Sequence, residues 1–167
     1  MFKKAITYVI LASLWITTGF TGDKGAVWQA YLELEGQGKK IILTSNAIYG
    51  SYSPNEKKYF FFGKNHMFVN SNDLESTKIF NDLCITNASG QFEFELNNIS
   101  DPSKDQTGIS NISFKKKTAG NAKIKNLSDG SQEVSYSGNF KNLGFTLTKE
   151  AAKIMTGEFK LVFKSQK

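Results

Sequence analysis

Most of the chain alternates apolar and polar residues with a period of two, the pattern of strands with one face buried. Ala26 to Glu35 sets Trp28, Ala30, Leu32 and Leu34 on one face and Gln29, Tyr31, Glu33 and Glu35 on the other. Gly36-Gln37-Gly38 turns that segment, and Lys39 to Ser45 returns as a hairpin partner. Ala47 to Ser53 is a third strand, carrying Tyr49 and Tyr52, and Pro54-Asn55 turns the chain again. Lys58 to Phe62 and Met67 to Asn70 read as a hairpin around Gly63-Lys64-Asn65-His66. Gln91 to Asn97 alternates most cleanly, with Phe92, Phe94 and Leu96 inward and Glu93 and Glu95 outward.

Four more strands follow: Ile109 to Lys116, Ala122 to Leu127, Ser131 to Ser137 and Leu143 to Thr148. Glu158 to Lys164 closes the chain, burying Phe159, Leu161 and Phe163 and showing Lys160, Val162 and Lys164. Two stretches have helical spacing. Asn72 and Glu75 form a capping pair opening Asp73 to Cys84, whose buried face is Leu74, Ile79, Phe80, Leu83 and Cys84. Thr148 caps a second short helix, Lys149 to Met155, which Gly157 ends.

About ten short strands predict a mainly β chain: an antiparallel β-barrel-like fold of lipocalin-like size, or a two-layer β-sandwich, with two short helices. A barrel removes free edges, and the strand lengths permit closure. No linker-like stretch divides residues 20–167, so they read as one β-rich domain. Gly25-Ala26-Val27-Trp28 is similar to the Gly-x-Trp opening of lipocalin-type domains, with one more residue between glycine and tryptophan. The resemblance covers four residues.

The first residues follow a different rule. Lys3 and Lys4 precede an uncharged, mostly apolar run from Ala5 to Phe20, the layout of a secretory signal. Residues 1–19 form that signal, with cleavage after Gly19, or after Gly22 as the alternative. If uncleaved, the segment anchors the chain in a membrane by its N-terminus. Removing Lys3 and Lys4 lowers the 21 basic residues to 19 against 15 acidic ones, so the formal charge falls from +6 to +4. That mild charge and the export signal argue against nucleic acid as a partner. The expected location is bacterial periplasm or the extracellular space, in part because a single Cys does not suit a small eukaryotic secreted domain.

Composition removes much catalytic chemistry. There is one His (His66), one Cys (Cys84) and no Arg. A Ser-His-Asp triad has only His66 available, and no zinc site of several His or Cys ligands fits in one chain. No intrachain disulfide is possible, and anions meet Lys or backbone amides rather than guanidinium forks. His66 reads as a polar turn residue, and Cys84 as a small buried apolar residue. Lys115-Lys116-Lys117 reads as a solvated strand end.

Three patterns retain chemical interest. The aromatic residues Trp28, Tyr49, Tyr52, Tyr59, Phe61, Phe92 and Phe94 would line a barrel interior and either fill it or hold a small apolar ligand. Asp101, Ser103, Asp105 and Thr107 repeat oxygen side chains at alternate positions, a pattern suited to calcium, the one cofactor the chain suggests. It departs from an EF-hand at Gln106 and Ile112. Glu33 with Glu35, and Glu93 with Glu95, are carboxylate pairs on solvent-facing positions. The first functional reading is therefore an exported, non-enzymatic binding module for an apolar ligand. The alternatives are an envelope or surface accessory protein of adhesin type, with an envelope protein as partner, and a carboxylate-dependent hydrolase.

Overall fold

The computed structural model describes residues 27–88 and 90–166. The predicted export segment lies outside them. Eight strands run β1 (Val27–Gly36), β2 (Lys39–Ser53), β3 (Lys58–Lys64), β4 (Gln91–Asn97), β5 (Gln106–Ser113), β6 (Lys117–Asn126), β7 (Gln132–Asn139) and β8 (Glu158–Gln166). Each pairs antiparallel with the next, and β8 returns to β1 from Val27↔Gln166 to Leu34↔Phe159. The result is a closed up-and-down barrel, so the barrel form of the expected fold holds. Closure pairs both edges of every strand and leaves no template for intermolecular pairing.

Three predicted strands resolve differently, which takes the count to eight. Lys39 to Ser45 and Ala47 to Ser53 are one strand, β2. The break between them is a bulge: Trp28 pairs with Ile48, but Ala30 pairs with Ser45, so β2 carries one extra residue there. A bulge bends a strand without ending it, and the bend lets one end of β2 serve β1 and the other β3. Met67 to Asn70 does not pair with β3. A 3-10 turn over Asn65–Met67 swings the chain away, and Val69 instead bridges Thr44 of β2 with backbone bonds of 2.8 and 2.9 Å. Leu143 to Thr148 is no strand either. Phe140–Leu143 forms a 3-10 turn ended by left-handed Gly144 (φ 84°). The alternation there is real, because Leu143 and Phe145 are buried, but it reflects packing on the barrel end rather than a ladder.

Helices close one end. The first, α1 (Leu74–Asn87), joins β3 to β4; the second, α2 (Ala151–Ile154), lies between β7 and β8. The α1 cap is Asp73, one residue beyond the predicted Asn72: its carboxylate accepts from Ser76 N at 2.9 Å and Ser76 Oγ at 2.7 Å. Those bonds hold the Asp73 carboxyl below its ordinary pKa. Phe80, Leu83 and Cys84 face the barrel as expected, whereas Leu74 is exposed and Ile79 half-buried. The second helix is shorter than the predicted Lys149 to Met155 and its N-cap is Glu150, without a side-chain cap bond; Thr148 Oγ1 accepts from Ala151 N at 3.0 Å just before it. Val162, expected on the solvent side, is buried on the outer wall between its register partners Tyr31 and Ser135.

Candidate functional site: the aromatic barrel interior

Inward rows of the barrel alternate large and very small residues. On β3 the row is Tyr59, Phe61, Gly63; on β7 it is Val134, Tyr136, Gly138. The small positions are filled by neighbouring rings. A Cβ on Gly50 would lie 2.7 Å from Phe61 and 2.8 Å from Trp28, and one on Gly63 would lie 2.8 Å from Phe92. Tyr136 covers both Gly120 and Gly138 in the same way, at 2.7 Å. The wall is thus thin where the rings lie against it, which is how a small barrel accommodates so many aromatics.

Five of the seven aromatics singled out in the sequence meet inside. Trp28, Tyr59, Phe61, Phe92 and Phe94 are buried. Trp28 meets Phe61 edge-on at 4.8 Å, and Phe61 stacks on Phe163 at 4.1 Å. Phe94 lies 5.2 Å from the same Phe163. Tyr52 sits at the rim, 4.9 Å from Tyr59. Tyr49 corrects the expectation: it is 74% exposed, on the outer face beside Phe62. The parity of β2 after the bulge turns Gly50, not Tyr49, toward the lumen. Sequence reasoning left Phe114, Phe140 and Phe163 out of the candidate site, although they continue the same ring system. Their signal was available only for Phe163, whose strand alternates cleanly.

Each end of the interior is differently finished. At the helical end, Phe68 and Phe80 meet at 6.2 Å, and Phe140 and Phe145 at 5.1 Å. At the other end the β4–β5 connection folds over the opening. Ile99 is fully buried there, and Tyr52 Oη donates to its carbonyl at 2.7 Å. Tyr59 Oη donates to Gln132 Oε1 at 2.8 Å, while Gln132 Nε2 donates to Pro102 O at 2.7 Å. Burial pushes the Tyr59 hydroxyl up to about 12, against a smaller opposite effect of the Gln132 bond. Burial alone pushes the Cys84 thiol up to about 12. No charged side chain is buried among the described residues.

The oxygen-rich loop is divided among separate partners. Asp101 accepts from Ser103 N and Oγ and pairs with Lys104 at 3.2 Å. Asp105 accepts instead from Asn126 N at 2.7 Å, and Thr107 lies exposed on β5. No group of three or more His, Cys, Asp or Glu side chains is gathered for a metal among the described residues. The carboxylates named in the sequence point outward. Glu33 pairs with Lys40 at 2.7 Å, and Glu95 with Lys58 and Lys117. Glu33, Glu35, Glu158 and Lys40 line an open groove of about 710 Å³ together with Leu34 and Phe159 of the inward rows. His66 is exposed in the 3-10 turn after β3.

No family model and no curated protein matches this chain. Solved structures do. One is a polyisoprenoid-binding domain from Saccharophagus degradans implicated in plant cell wall breakdown: TM-score 0.57 at 9% identity, over 86% of this chain and 97% of that one. Another is BcnA of Burkholderia cenocepacia: TM-score 0.58 at 9% identity, over 82% and 94%. At that identity the likeness is one of fold, and the fold this chain shares with them is the closed barrel described above.

Proposed function

We propose that this chain is an exported binding module that takes an elongated apolar ligand, of the polyisoprenoid kind, into its barrel. One observation carries the reading: the barrel interior is a continuous set of aromatic rings packed on one another across the lumen, with no buried charge among the described residues. Ligand entry exchanges ring-on-ring contact for ring-on-chain contact, so no charged group has to shed water. The polyisoprenoid-binding domain of similar fold supports the ligand class. Export rests on Lys3-Lys4 and the apolar run after them, and implies the periplasm or the cell exterior.

The test is native mass spectrometry of protein purified from its host, followed by titration with isoprenoids and fatty acids. A bound or titrating apolar molecule supports the reading; a bare protein that binds none of them ends it. A second reading has its own observation. Exposed Tyr49 and half-buried Phe62 form an aromatic pair on the outer face, rings 6.4 Å apart, suited to an envelope protein partner. Loss of partner capture in Tyr49→Ala, with ligand binding intact, would identify that face as the contact.

A further inference from the structure

Among the described residues most buried side-chain polar groups are satisfied; two half-buried residues, Asn81 (Oδ1) and Asn126 (Nδ2), each leave one buried atom without a partner. Asn87 is the reference case: Nδ2 donates to Leu83 O at 3.0 Å and to Thr146 O at 3.3 Å, and Oδ1 accepts from Thr146 N at 2.9 Å. Thr77, Ser76, Ser131 and Ser45 are bonded too. Asn65 is not. It is 1% exposed, and neither its Nδ2 nor its Oδ1 has a partner. Ser110 Oγ is the other buried exception among fully hidden residues, but a hydroxyl turns freely about one bond. The Asn65 amide presents a donor and an acceptor in one fixed plane, and both need partners at once.

Its position gives that requirement a meaning. Asn65 directly follows β3, whose inward row is Tyr59, Phe61 and Gly63, and opens the 3-10 turn Asn65–Met67. Its backbone is anchored, with N donating to Gly90 O at 3.0 Å and O accepting from Phe68 N at 3.3 Å. It is buried where β3 gives way to the helical end of the barrel, three residues before Phe68, which meets Phe92 at 5.6 Å and Phe80 at 6.2 Å. An apolar residue would pack at such a site with no unpaired group. A buried polar group without partners is the kind of local inconsistency that marks function.

We infer that Asn65 is the head-group contact of the ligand, and that the head is uncharged with both a donor and an acceptor, as in a long-chain isoprenoid alcohol. This rests on the reading of the barrel as an apolar-ligand module. A hydroxyl accepts from Nδ2 and donates to Oδ1 together. A carboxylate or a fully ionised phosphate offers the Oδ1 atom no donor, and no buried cation among the described residues would neutralise either. A hydrocarbon leaves both amide groups unpaired.

The experiment compares one isoprenoid chain length as alcohol, monophosphate and hydrocarbon, titrated into full-length protein and into Asn65→Leu. The wild type is expected to bind the alcohol at least tenfold more tightly than either other form. Asn65→Leu is expected to retain hydrocarbon binding and lose the alcohol preference. Equal binding of alcohol and hydrocarbon by the wild type overturns the inference and leaves the module reading standing. So does tighter binding of the phosphate, or a preference that survives Asn65→Leu, as when internal water serves the amide. Failure of all three probes removes both readings. If Asn65→Leu does not fold, the wild-type ranking decides, with Asn65→Ser as the second variant.

Discussion

Phe61 on β3 and Phe163 on β8 stack at 4.1 Å with their planes 8° apart, although their strands are not neighbours in the barrel. The pair spans the lumen from one wall to the other. Removing Phe163 would therefore open a void that no adjacent strand can fill. Phe163→Ala is expected to lower unfolding free energy by about 3–5 kcal/mol in urea denaturation. Tyr49→Ala, on the exposed face, is expected to stay within about 0.5 kcal/mol of wild type. Similar losses in both would mean that the lumen is loosely packed.

Gly36 ends β1 directly beneath the backbone of α2. A Cβ there would run into the Ile154 carbonyl and the Met155 amide, and Thr156 N already donates to Glu35 O at 2.7 Å. Backbone cannot swing aside as a side-chain tip can. Gly36→Ala is expected to cost about 1–3 kcal/mol, seen as a lower Tm with α2 displaced. An unchanged Tm would show that the α2 turn is free to move.

Acid should release the α1 cap. The Asp73 carboxyl has a lower pKa folded than unfolded, because Ser76 donates two bonds to it. Its contribution is therefore complete above about pH 3.9, the unfolded value, and disappears as pH falls through the folded value. Asp73→Asn still caps but does not titrate. Between pH 5 and 2, the wild-type Tm is expected to fall more steeply than that of Asp73→Asn; parallel curves would contradict the assignment of the cap.

Alkali acts on the opposite end. The Tyr59 hydroxyl is raised to about 12, so the native state holds its proton longer than the unfolded chain. Stability from this group is full below about pH 10 and is lost as pH rises through 12. Tyr59→Phe is expected to flatten the alkaline fall in Tm. Burial also raises the Tyr136 hydroxyl, so phenolate absorbance should show Tyr59 and Tyr136 titrating late in the wild type and one fewer late tyrosine in the variant.

The same burial silences the one thiol. Cys84 is 3% exposed, and its pKa is pushed up to about 12. Native protein is expected to react with a disulfide-exchange reagent only at the rate at which it unfolds. Rapid stoichiometric labelling would show that α1 lifts from the barrel end.

Calcium is the remaining test of the loop after β4. Asp101 and Asp105 already serve different donors, Ser103 and Asn126. Millimolar calcium is expected to leave Tm unchanged, and a rise would mean that the loop rearranges to gather the two carboxylates.

Period-two alternation by itself determined the β class, the inward identity of Trp28, Phe61, Phe92, Phe94 and Phe163, and the outward Glu33 and Glu93, because side-chain direction in a strand is a local property. Cys84 on the inner side of α1 was legible for a similar reason, from helical spacing. Tertiary structure decided everything that depends on pairing. It converted the break at Asn46 into a bulge, which reversed the side on which Tyr49 lies. It moved Val69 from β3 to β2, and turned the alternation around Phe145 into packing without a ladder. Within the calcium-like spacing, Asp105 accepts from Asn126, a partner 21 residues away, a contact that spacing alone does not show. Asn65 was similarly hidden: in sequence it is a turn residue beside His66, and only closure of the barrel makes its amide buried and unpaired. Alternation is set within a few residues, whereas register, closure and the fate of a polar group depend on segments far apart in the chain.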